Sequence, residues 1–158
     1  MNKLKMLLAA LALVAIGGSV QSAGAADVLP NISVGNTSSP EGYILTGPPG
    51  TPRQIVAAKA AFNVALSNPS SQTVSVRFRT CCGTARSVDP GKDYEPVSGT
   101  LVFQPGQTRK SVIVPMVLVF GAEPTETYRL VLESPVNADL DPTQHIGTGT
   151  ILNGVEFL

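Results

Sequence analysis

The sequence holds a single histidine, His145, and two cysteines, Cys81 and Cys82, which are neighbours. This scarcity excludes a good deal of chemistry. A structural zinc site takes four ligands, and two thiols with one imidazole fall short of that. Adjacent cysteines close only a strained ring, because ordinary disulfides hold their Cα atoms about 4.4–6.8 Å apart. Successive residues of a strand point to opposite faces, so such a pair at a strand end puts one thiol in and one out. In an oxidising exterior the alternatives are a strained vicinal disulfide, two free thiols or a bridge to another chain. His145 stands beside Gln144 with no acid or nucleophile signature around it. Ser38, Ser39 and Ser98 fall in turn-like segments and lack a nucleophile elbow. Nothing in the sequence reads as catalytic.

Charge is also scarce. Only 14% of the 158 residues are charged, with 11 basic against 11 acidic, and the basic residues do not cluster. Nucleic acid is therefore a poor partner. One apolar run stands out, from Met6 to Ile16, preceded by Lys3 and Lys5 and followed by Ala23, Gly24 and Ala25. This order of charge, apolar run and small residues predicts a secretory signal peptide over residues 1–25, cut after Ala25. The run is shorter than the ~20 residues of a spanning helix, and Gly17 and Gly18 interrupt its end. A mature domain of residues 26–158 follows, with no membrane span after cleavage. Losing Lys3 and Lys5 leaves nine basic residues against 11 acidic ones. A domain of this length buries roughly two-thirds of its unfolded surface, enough for a core without metals or disulfides.

What the mature chain does have is period-two patterning. Ala60, Phe62, Val64 and Leu66 alternate with smaller or polar residues, and Val74, Val76 and Phe78 alternate with Ser75, Arg77 and Arg79. Such alternation marks strands with one buried and one wet face, the arginines being solvated or paired with acids across a neighbouring strand. Ile32–Val34, Gly99–Phe103, Arg109–Val117, Tyr128–Leu132 and His145–Leu152 complete seven predicted strands. Pro105 and Gly106 form a turn, since proline presets its φ and glycine accepts φ > 0. Gly47, Pro48, Pro49, Gly50 and Pro52 sit at the centre of Tyr43–Val56, which reads as an inserted loop unable to hold a ladder. Residues 136–144 read as another loop. Two acidic segments, Asp89–Glu95 and Glu123–Glu126, flank the central strands and are placed to meet at one end of the sheet. No internal repeat is visible. The pattern implies an all-β, seven-stranded, immunoglobulin-like antiparallel sandwich with a core of Val76, Phe78, Leu101, Phe103, Tyr128, Leu130 and Ile151.

Gly83-Thr84-Ala85, the run from Asp93-Tyr94-Glu95 through Gly99-Thr100-Leu101-Val102-Phe103, Pro105-Gly106, and Glu123-Pro124-Thr125-Glu126-Thr127-Tyr128 together resemble the Calx-β repeat. The likeness extends upstream through Phe62–Pro69 and downstream through Gly149–Asn153. The resemblance implies a seven-stranded immunoglobulin-like sandwich, often calcium-binding, and places calcium ligands at Glu41, Asp93 and Glu123. Family members also tend to carry two aspartate clusters, where this chain has Leu118-Val119-Phe120 and Asn153-Gly154. Calcium takes six to eight oxygens, and affinity follows the number of carboxylates, so these losses weaken the implied site. Carboxylates without an ion repel one another and cost less in water or beside a base such as Lys92. The apolar Leu118–Phe120 reads as a continuation of the preceding strand or as a plug over the vacated site. Glu123 and Glu126, flanking a proline turn, fix loop backbone or bind an ion.

The sequence thus points to an exported, non-catalytic structural or adhesive module, secreted, periplasmic or on the cell surface, with a degenerate calcium site and a protein or cell-envelope partner. A working calcium-binding module built on Glu41, Asp93 and Glu123 is the alternative. Export has a direct check. Mass spectrometry of the native protein is expected to place its N-terminus at Ala26 or within a few residues, and an intact Met1 on cytoplasmic protein contradicts it.

Overall fold

The structure, a computed structural model, describes residues 28–51, 54–118 and 123–152. The expected signal peptide over residues 1–25 lies outside the described residues, as do Val119, Phe120, Asn153 and Gly154. Every regular element described is a strand, and no helix is long and apolar enough to cross a membrane. In chain order the strands are β1 (Asn31–Val34), β2 (Thr37–Pro40), β3 (Tyr43–Thr46), β4 (Gln54–Ala57), β5 (Lys59–Leu66), β6 (Val74–Cys81), β7 (Ser98–Phe103), β8 (Arg109–Pro115), β9 (Glu126–Val136), β10 (Asp139–Leu140) and β11 (Ile146–Leu152).

They form two facing sheets, with strand orders β10-β1-β5-β8 and β2-β11-β9-β6-β7. The alternation read from the sequence sets the inward faces. Along β5, Ala60, Phe62, Val64 and Leu66 are buried while Lys59, Ala61 and Asn63 are exposed. Across the sandwich they meet Val74, Val76, Phe103, Leu130, Leu132 and Ile151. Phe62 from one sheet meets Tyr128 from the other edge-to-face, with ring centroids 5.7 Å apart. Such a pair adds about 0.5–1.5 kcal/mol beyond the area it buries. Tyr128 has room because β11 presents Gly149 beneath it, where an added Cβ would lie 2.4 Å from the ring carbon Cζ. On the wet face Arg79 pairs with Glu133 of the neighbouring strand at 3.5 Å.

The seven expected strands are joined by four short ones. The insertion at Tyr43–Val56 is a two-stranded ribbon, with Tyr43 opposite Ala57 and Thr46 opposite Gln54. Its prolines and glycines are confined to the tip, so they terminate the ladder without preventing it. Within residues 136–144, β10 pairs in parallel with β1, and β2 pairs in parallel with β11, so the otherwise antiparallel sheets each gain one parallel edge. Phe78 and Leu101 are only partly buried, against the expectation that both are core. Leu101 lies on β7, an edge strand, and Phe78 packs across onto Gly99 of that strand, with less cover than central β9 receives. The apolar run after β8 does not prolong it: the strand stops at Pro115, and Leu118 turns onto Gly42.

Phe103 is fully buried. Phe103→Ala is expected to destabilise the domain by about 3–5 kcal/mol in chemical denaturation, the range for truncating a core aromatic. A loss under about half a kcal/mol would show the inward face to be misassigned.

Candidate metal centre

Three loops converge at one end of the sandwich, and each brings a carboxylate. Glu41 directly follows β2, and its amide donates to the Leu152 carbonyl at 3.2 Å, prolonging the β2–β11 ladder by one step. Asp93 lies in the long β6–β7 connection. Its amide donates to the Arg86 carbonyl at 2.9 Å, the Arg86 amide donates back to the Asp93 carboxylate, and the Val117 amide donates to the Asp93 carbonyl at 2.8 Å. The next residue, Tyr94, is buried and stacks on Tyr128 with centroids 4.3 Å apart, so the core fixes where Asp93 stands. Glu123 approaches from the loop leading into β9.

One carboxylate oxygen from each of Glu41, Asp93 and Glu123 lies within 4.8 Å of the other two. Oxygens that share a calcium ion at 2.3–2.6 Å lie no more than about 5 Å apart, so the spacing suits one ion. Burial sharpens the point. Glu41 is 5% exposed and Asp93 2% exposed, while Glu123 is half-buried. The expectation that these groups rest in water or beside Lys92 does not hold, because Lys92 reaches Glu95 at 2.6 Å. Converging buried acids keep their charge only at a cost that a cation relieves.

A fourth acid interacts with the cluster. Glu126 opens β9, and its carboxyl is pushed up to about 7, first by burial, then by the hydrogen bond and charge of Asp93, then by the charges of Glu123 and Glu41. The signal was present in the Glu123-Pro124-Thr125-Glu126 run, which sets two acids three residues apart at the entry to β9. Leu118 flanks the site, its Cδ1 2.4 Å from where a Cβ on Gly42 would sit. The cysteines and His145 take no part: among the described residues Glu41, Asp93 and Glu123 are the one group of three or more potential metal ligands. The His145 ring instead has Nδ1 2.9 Å from the Asp141 carbonyl oxygen, bracing a turn.

A two-sheet sandwich with an acidic cluster at one end defines an immunoglobulin-like module with a candidate metal site. Residues 56–154 match the model of the Calx-beta domain, and the chain belongs to that family. Among solved structures it is similar to the apo-form Calx CBD1 domain, with a TM-score of 0.58 at 18% identity, covering 78% of this chain and 96% of that one. It is similar to the Calx CBD2 domain, with a TM-score of 0.54 at 12% identity over 79% of this chain and 86% of that one. It also matches the calcium binding domain CBD12 of CALX1.1, with a TM-score of 0.54 at 25% identity, covering 60% of this chain but only 38% of that one. No match was found among curated protein sequences.

The shift of Glu126 fixes the sign of a pH dependence. Its folded value of about 7 exceeds the ordinary 4.5, so between these values the folded chain holds a proton that the unfolded chain has released. Stability from this group is complete below the lower value and is lost as pH rises through the upper one. In chelator, the melting temperature is expected to fall between about pH 5 and about pH 8, and Glu126→Gln is expected to flatten that fall. An unchanged slope in the variant would remove Glu126 from the cluster.

Proposed function

We propose that this chain is a non-catalytic module that binds one calcium ion through Glu41, Asp93, Glu123 and Glu126, and so stiffens one end of the sandwich for a protein or cell-envelope partner. The observation that carries the reading is the convergence of three carboxylates within 4.8 Å, two of them almost wholly buried. In the absence of a cation that arrangement is repulsive; with one it becomes a tie between the end of β2, the β6–β7 connection and the entry to β9. A single ion is favoured because Leu118, not another acid, occupies the flank over Gly42. The affinity belongs to the weaker extracellular range, about 10⁻⁴–10⁻³ M, since one Asp93 oxygen already accepts from the Arg86 amide and Glu126 must give up a proton. Residues 1–25 would export the module, where calcium at that concentration is available.

Calorimetric titration of the purified protein with calcium is expected to give one site in that range, weakened about tenfold or more by Asp93→Asn or Glu123→Gln. A hundredfold excess over Kd should stabilise the fold by about 2.7 kcal/mol. No binding heat and no thermal shift in about 10 mM calcium would overturn the reading.

A further inference from the structure

The neighbouring thiols are not used by the metal centre, yet they stand at the head of a backbone segment that is fastened to it. Cys81 ends β6, opposite Arg129 of β9, and is partly buried, whereas Cys82 lies beyond the strand and is exposed. Burial pushes the Cys81 thiol up, and the neighbouring Cys82 thiol pushes it the same way, so the inner sulfur keeps its proton more firmly.

From Cys82 the chain has little freedom for four residues. Gly83 passes so close to β9 that an added Cβ would lie 1.9 Å from the Thr127 carbonyl oxygen. The Thr84 hydroxyl accepts from the Thr127 amide at 2.9 Å, and the Ala85 amide donates to the Thr127 carbonyl at 2.9 Å. Arg86 then exchanges hydrogen bonds with Asp93, its amide to the carboxylate and its carbonyl from the Asp93 amide. The segment therefore grips the residue after Glu126 at one point and Asp93 itself at the next. Any twist of the backbone at Cys82 reaches two of the four carboxylates within four residues.

Closing a disulfide between Cys81 and Cys82 applies such a twist. Consecutive Cα atoms across a trans peptide are about 3.8 Å apart. Ordinary disulfides want at least about 4.4 Å, and successive side chains of an extended chain point to opposite faces, so the strained ring closes only if the torsions at Cys81 and Cys82 change. We infer that Cys81 and Cys82 form a thiol–disulfide exchange site for small organic disulfides, and that closing the pair loosens the Gly83–Arg86 segment from Thr127 and Asp93. The exposed Cys82 thiolate attacks one sulfur of the incoming disulfide, a mixed disulfide forms, and the first small thiolate leaves. Cys81 then gives up its proton, and its sulfur attacks the Cys82 sulfur and expels the second small thiolate, which takes up a proton. The protein pair is oxidised, the small disulfide is reduced to two thiols, and the two protons released from the cysteines end on those thiols. The consequence for calcium, a weaker site in the oxidised form, rests on the function proposed above; the exchange chemistry and the loosening do not.

The test uses oxidised glutathione as the disulfide. Intact-mass measurement is expected to show a product lighter by about two mass units, with a Cys81–Cys82 bridge in the peptide map and no retained glutathione. A stable glutathione adduct on Cys82, or a disulfide-linked pair of chains, would overturn the site. Amide hydrogen exchange should quicken at Ala85, Arg86 and Thr127 in the oxidised protein, and unchanged exchange would overturn the loosening. Calcium titration of both forms is expected to show affinity about fivefold or more lower after oxidation, with the Cys82→Ser variant keeping the reduced value under the same treatment. Equal calcium affinity in the two forms would sink the coupling. Absence of calcium binding in the reduced form would sink the calcium reading alone, while the mass and exchange results still decide the thiol site.

Discussion

The position of the Tyr128 ring governs the rest of this molecule. It lies between the sheets, edge-on to Phe62 and face-on to Tyr94, with Gly149 beneath it. Through Phe62 it holds the two layers together, and through Tyr94 it pins the β6–β7 connection. Tyr94 and Tyr128 each lie one or two residues from an acid of the cluster, Asp93 and Glu126. The aromatic contacts and the carboxylate contacts are thus successive rows of the same strands and loops. Packing decides where the acids stand, and the acids follow because they are attached to it. This is how buried carboxylates can be held near one another despite their repulsion: favourable burial of large rings is spent on holding them there.

Much of the architecture was legible in period two. The alternation along β5 and β6 gave the inward faces. What escaped had physical causes. The β3–β4 ribbon was hidden by its proline-rich tip, which says where a ladder ends and nothing about its arms. β10 is two residues long and owes its existence to β1, not to its own composition. Phe78 and Leu101 have core-like chemistry, but Leu101 lies on edge strand β7 and Phe78 on β6 beside it, and place in a sheet is a property of topology that no local pattern carries.

The acidic cluster divides in the same way. Glu41, Asp93 and Glu123 were named through resemblance, and the structure brings them together from three separate loops. Glu126 was seen as an ion-binding or loop-fixing acid, but its interaction with Asp93 was not, because that depends on how β9 begins relative to Asp93. Lys92 was the reasonable partner by sequence proximity; the fold turns it to Glu95 instead. Leu118 shows how one apolar residue at a loop can bound a polar site, since its packing on Gly42 uses space that a further ligand would need.

The parallel pairing of β2 with β11 has a mechanical meaning. Thr37 to Pro40 lie beside Gly149 to Leu152, both strands running the same way, and among the described residues they are the first and last strands of that sheet in chain order. Tension along the chain pulls such neighbours in opposite directions along their common axis. The load is then shared by all their cross-strand hydrogen bonds at once, where an antiparallel pair pulled from one end would open one bond at a time. Glu41 caps that loaded pair through its bond to Leu152, so a cation gripping Glu41 would act as a rivet at the end of the seam that bears the strain.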